Sequence, residues 1–141
     1  PGARKAALGA LELREQHQDA LIIVGKLALL ERDYATAARY LSRACSLDDH
    51  VEASILLLAG HAAHKAGDIS SAKRFLKLLL ADEPQNLKAA LLLIRCYART
   101  GELHKAARTL NAAMKYAPQN EKLQQVADFL SKRGAAQITL S

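Results

Sequence analysis

The sequence predicts an all-α protein built from repeated helical hairpins, and three observations carry that expectation. Its 141 residues include 28 Ala and 25 Leu, so strong helix formers dominate while β-branched and aromatic residues are few. Seven Gly and three Pro are too few for a loop-rich β sandwich, and 50% hydrophobic against 24% charged residues is not a disordered composition. Third, the chain repeats itself. Ala66-Gly67-Asp68 and Thr100-Gly101-Glu102 lie 34 residues apart, as do Glu83-Pro84-Gln85-Asn86 and Ala117-Pro118-Gln119-Asn120. Glu31-Arg32-Asp33 and Asp48-Asp49-His50 sit 35 residues earlier, so a first copy carries one extra residue in its closing turn.

Each copy reads as two amphipathic helices joined by a tight turn. The helices are expected near 18–31 and 34–46, near 52–65 and 69–82, and near 87–99 and 103–117. Gly67 and Gly101 end the first helices of their copies, because Gly takes the left-handed cap conformation without steric cost, and Asp68 follows as an N-cap. Pro84 and Pro118 end the second helices, which Pro cannot continue, and Asn86 and Asn120 are placed to cap the next ones. Upstream, Ala3, Ala7, Ala10 and Leu11 hold the spacing of a second helix one repeat earlier, with Glu12, Leu13 and Glu15 as its closing turn. Downstream, Leu123, Val126, Ala127 and Leu130 share one face of a helix over 121–133, which Gly134 ends. The expected division is therefore 1–17, 18–51, 52–86, 87–120, a covering helix at 121–134 and an aperiodic tail at 135–141.

These residues resemble the tetratricopeptide repeat, whose pattern is W-x2-L-G-x2-Y, then A-x3-F, then P. The pattern falls on Leu21, Val24, Gly25, Ala28, Ala37, Leu41 and Asp49 in the first copy. In the second it falls on Leu56, Ala59, Gly60, Ala63, Ala72, Leu76 and Pro84, and in the third on Ala90, Leu93, Ile94, Tyr97, Ala106, Leu110 and Pro118. The small residues Gly25, Gly60, Ala37, Ala72 and Ala106 stand where helices must cross closely. Arg32 replaces the turn Gly, Ile94 the helix Gly and Asp49 the Pro, and the opening aromatic is Leu or Ala throughout. The resemblance implies a right-handed superhelical solenoid of antiparallel helix pairs, with first helices lining a concave groove. A chain that opens on half a hairpin reads as a fragment of a longer array, and the resemblance then implies a scaffold in secretion, envelope-export or transport machinery.

The groove implied by the family would be lined by three rows of first-helix residues: Ile22, Leu57 and Leu91; Lys26, His61 and Arg95; and Leu30, Lys65 and Arg99. Successive members within a copy are four residues apart, hence one turn apart on one helical face. One row is apolar and the next basic or able to become so, which suits a protein or peptide whose apolar side chains meet the first while acidic groups approach Lys26, Lys88, Arg95 and Arg99. The expected contact set is Ile22, Lys26, Leu57, His61, Lys65, Lys88, Leu91, Arg95 and Arg99; in the competing reading the apolar row is packed between helices and the charges solvate the wall. The carboxylate clamp of chaperone-tail readers in this family is not matched, since only Lys88 is kept and Ile22, Lys26, Leu58 and Leu92 fill the other positions. A secretion-type chaperone holding a client segment is the alternative.

Catalysis finds no support. Cys45 and Cys96 lie in different copies, and neither a Ser, His and Asp arrangement nor a phosphate-binding glycine loop is present. His61 and His64 are three apart, with His17 or His50 as remote companions, but no carboxylate or Cys stands beside them at ligand spacing, so neither metal nor cofactor is expected. Twenty basic against 14 acidic residues give +6, which raises an RNA-binding alternative. Its basic residues, Arg39, Arg43, Lys73, Arg74, Lys77, Lys105 and Arg108, fall on second helices, and first-helix rows rich in Ile, Leu and Ala offer only Tyr97 as a stacking platform. No apolar run approaches the roughly 18 residues of a membrane span. Two Cys make no disulfide framework and suit a reducing compartment, so a soluble, cytoplasmic chain is favoured, with the periplasm open if a signal has been trimmed and self-association open through the array ends.

Overall fold

The computed structural model describes residues 18–47 and 51–134. The upstream half-repeat helix at 1–17, the tail at 135–141 and the closing-turn residues Asp48, Asp49 and His50 lie outside them. Among the described residues the secondary structure is helical: α1 (Gln18–Leu30), α2 (Tyr34–Ser46), α3 (Ala53–Ala66), α4 (Ile69–Asp82), α5 (Leu87–Arg99), α6 (Leu103–Tyr116) and α7 (Glu121–Lys132). Their ends fall within a residue or so of the expected spans, the usual fraying distance. Helices of 12–14 residues are marginal by themselves in water, so packing must hold them.

Side-chain caps start four of them. Asp33 Oδ1 accepts from Thr36 N at 3.2 Å, Asp68 Oδ1 from Ser71 N at 3.2 Å, Asn86 Oδ1 from Ala89 N at 3.0 Å and Asn120 Oδ1 from Leu123 N at 3.1 Å. Each supplies one otherwise orphaned amide with a partner, worth about 1 kcal/mol. The three hairpin turns share one hydrogen-bond pattern. Arg32 N donates to Leu29 O and Asp33 N to Ala28 O; Gly67 N donates to His64 O and Asp68 N to Ala63 O; Gly101 N donates to Ala98 O and Glu102 N to Tyr97 O. That pattern requires a left-handed residue, and the φ values are 59° at Arg32, 89° at Gly67 and 74° at Gly101. Arg32 thus adopts the conformation of the Gly it replaces, at a steric cost of roughly 1–2 kcal/mol for a residue with a Cβ. Arg32→Gly is expected to stabilise the chain by about 1 kcal/mol, read as a higher denaturant midpoint at unchanged slope. A lower midpoint would show that the Arg32 side chain contributes more than the strain removes.

The helices divide into two compact units, one ending at Phe75 and the other beginning at Leu76, with the division inside α4. In the first unit α2 packs against both α1 and α3. Gln18 Nε2, at the start of α1, donates to Ala44 O near the end of α2 at 3.0 Å, which fixes that pair as antiparallel. Leu21, Val24, Leu41, Ala59, Ala63 and Ala72 are fully buried there. Gly25 belongs to this contact: a Cβ at its position would lie 2.5 Å from Leu41 Cγ. In the second unit α6 packs against α5 and α7, and Ala106, Leu110, Leu123, Ala127 and Leu130 have no exposed surface. Burying each such Leu contributes about 1.5–3 kcal/mol, several times the value of a cap, so the apolar seams decide which helix faces turn inward.

Candidate functional site

In the first unit, Ile22 and Lys26 stand one turn apart on α1, and Leu57, His61 and Lys65 follow one another at the same spacing on α3. Lys26 and Lys65 are exposed; Ile22, Leu57 and His61 are half-buried. Ile22 packs against the cluster of Ala20, Leu21, Val24 and Ala44, so part of its surface belongs to the core. Leu30, at the end of the same row, is 81% exposed. His61 meets Tyr34 edge to face, with ring centroids 6.2 Å apart and planes at 82°. Burial, and then the charge of Lys65, hold its pKa below the ordinary histidine value. At neutral pH it is an uncharged ring, and the row read from sequence as basic or able to become so carries a cation at Lys26 but not at His61.

In the second unit, Lys88, Arg95 and Arg99 are exposed along α5, and Leu91 is half-buried between them. Leu91 and Arg95 open onto a hollow of about 410 Å³ whose far wall is α7. The apolar part of its lining includes Leu91, Ile94, Ala98, Val126 and Leu130. Arg95, Lys122, Gln125 and Phe129 complete its lining. Phe129 is 45% exposed, and the Arg133 guanidinium lies 4.6 Å from its ring centroid. Lys122, Gln125 and Phe129 are absent from the sequence-derived contact set. The available signal was a large aromatic next to the buried stripe of Leu123, Ala127 and Leu130 rather than on it.

Several second-helix cations pack on the chain's own rings. Arg39 and Arg43 lie 5.1 and 5.8 Å from the Tyr40 centroid, Arg74 lies 5.0 Å from Phe75, and Lys77 lies 5.9 Å from Tyr97. Cys96 is buried, and burial pushes the half-buried Cys45 thiol up to about 11 against the opposing pull of Arg74. A thiol so shifted is a poor nucleophile at neutral pH. Among the described residues no cluster of three or more His, Cys, Asp or Glu side chains could hold a metal ion; His17 and His50 lie outside them. No described helix is long and apolar enough to cross a membrane.

Comparison with known proteins follows the repeat. The family model of the tetratricopeptide repeat matches residues 63–127. No curated protein matches the sequence. Among solved structures, MamA superposes with a TM-score of 0.80 at 20% identity, covering 94% of this chain and 77% of its own. YrrB, described as a TPR protein with an unusual peptide-binding site, gives 0.80 at 17% identity, covering 92% of this chain and 66% of its own. The TPR domain of Arabidopsis OM64 gives 0.69 at 17% identity, covering 82% and 95%. At such identities the likeness is one of fold: all-helical, in the class of TPR solenoids. Residues 63–127 thus match the tetratricopeptide repeat model, and the described helices share the fold of known TPR structures.

Proposed function

We propose that the chain is a non-enzymatic interaction module that holds a segment of a partner protein against its first-helix faces, as part of a multiprotein assembly such as secretion, envelope-export or transport machinery. The fold itself suggests protein–protein interaction, and a structural neighbour is described as having a peptide-binding site. The observation that carries the reading is the exposure pattern. Lys26 and Lys65 in the first unit, and Lys88, Arg95 and Arg99 in the second, stand in solvent beside half-buried Ile22, Leu57 and Leu91. Each unit thereby offers apolar surface bordered by positive charge, which suits a segment mixing apolar and acidic side chains. His61 enters as a neutral ring rather than as a cation.

The test is capture from lysate by the wild-type chain and by the Lys26→Glu, Arg95→Glu, Arg99→Glu triple variant, with and without nuclease. A protein retained by the wild type, lost by the variant at unchanged helical content and indifferent to nuclease is the expected result. Equal capture by both chains removes the first-helix faces as the site. Capture that vanishes with nuclease moves the function to nucleic acid and to the second-helix cations.

A further inference from the structure

The hollow between α5 and α7 has a chemistry of its own. Its lining holds two cations, Arg95 and Lys122, and no carboxylate, together with aliphatic Leu91, Ile94, Ala98, Val126 and Leu130. Phe129 keeps nearly half its surface in water although Leu123, Ala127 and Leu130 on the same helix keep none. Arg133, stacked on that ring, adds a third positive charge at the edge. A cavity of about 410 Å³ falls in the range of ligand pockets and exceeds what one aliphatic side chain fills. We infer that this hollow is an anchor for a partner peptide that buries two aliphatic side chains between Leu91 and Phe129 while flanking acidic residues face Arg95 and Lys122.

This inference rests on the first-helix reading above and extends it to α7, which that reading did not use. Apolar burial supplies the hold, because most of the lining is apolar; the charges of Arg95 and Lys122 select among peptides and are weakened by salt. A second copy of the chain fits less well, since it brings a net charge of +6 toward a positive rim.

The probe is a fluorescein-labelled peptide, Gly-Asp-Glu-Leu-Asp-Asp-Leu-Glu-Asp-Gly, titrated with the full chain and read by fluorescence anisotropy. Two companions replace both Leu by Ala, or every acidic residue by Lys. The wild type is expected to bind the parent peptide at least tenfold more tightly than either companion, with affinity falling as salt is added. Phe129→Asp and Lys122→Glu should each weaken it at least fivefold with helical content unchanged; both positions are exposed, so neither substitution opens the core. Three results overturn the inference: binding untouched by Phe129→Asp, equal binding of the Lys companion, or no binding at all. In the last case, sedimentation that shows self-association abolished by Phe129→Asp assigns the hollow to a second copy. Binding that appears only in a chain ended at Gly134 assigns it to the segment that follows. Lys26→Glu separates the two readings. Loss there with none in Phe129→Asp keeps the first-helix faces and removes the hollow, whereas the reverse keeps the hollow and confines recognition to the second unit.

Discussion

Leu41→Ala should lower the unfolding free energy by about 2–5 kcal/mol, a large fraction of a typical 5–15 kcal/mol. Leu41 has no exposed surface, and it occupies the space that the missing Cβ of Gly25 leaves between α1 and α2. Truncation therefore loses the transfer free energy of the removed atoms and opens a cavity. The same contact makes a second result expected. In the wild-type background Gly25→Ala gains about 1 kcal/mol of helix propensity but places its methyl 2.5 Å from Leu41 Cγ, and overpacking a closed core costs about 1–3 kcal/mol. Overpacking wins, because a fully buried Leu41 has nowhere to retreat. With Leu41→Ala already in place the methyl meets empty space, and the sign of Gly25→Ala reverses from destabilising to stabilising. Equilibrium denaturation of the four chains completes the cycle, and additive effects would show that the two residues do not share the crossing.

Ala106→Leu should destabilise by about 1–3 kcal/mol through overpacking, with a melting temperature lower by roughly 3–12 °C. Ala106 is fully buried in the first turn of α6 and aligns with Ala37 and Ala72, which are equally buried in theirs. Leu is as good a helix former as almost any residue, so propensity does not explain a loss. Ala112→Leu, on the exposed side of the same helix, is the control and should change stability by less than about 0.5 kcal/mol. An unchanged melting temperature in Ala106→Leu would mean that the repeat register is shifted on α6.

Much of this fold is legible in the residues that punctuate it. Gly67 and Gly101 take left-handed φ values, and Asp68, Asn86 and Asn120 accept from the amide three residues on, because local backbone chemistry alone dictates those choices. Arg32 is visible from sequence as a departure from the turn Gly, but not as a residue at φ 59° inside the turn closed by Arg32 N to Leu29 O and Asp33 N to Ala28 O. The candidate site is less legible. Leu91 and Arg95 are reachable by helical spacing, whereas their meeting with Lys122 and Phe129 depends on α5 and α7 flanking a common hollow, a relation that no pattern within either helix encodes. The neutral state of His61 is likewise hidden, since it follows from burial beside Tyr34 and from the charge on Lys65.

The shielding of the two thiols makes the chain convenient to label. With Cys96 enclosed and Cys45 holding its proton to about pH 11, maleimide at neutral pH has almost no thiolate to attack on the native protein. A cysteine introduced at an exposed position such as Gln119→Cys would then react by itself, with both natural cysteines left in place. A dye or spin probe could be carried at one chosen site while every packed contact of the native chain is preserved.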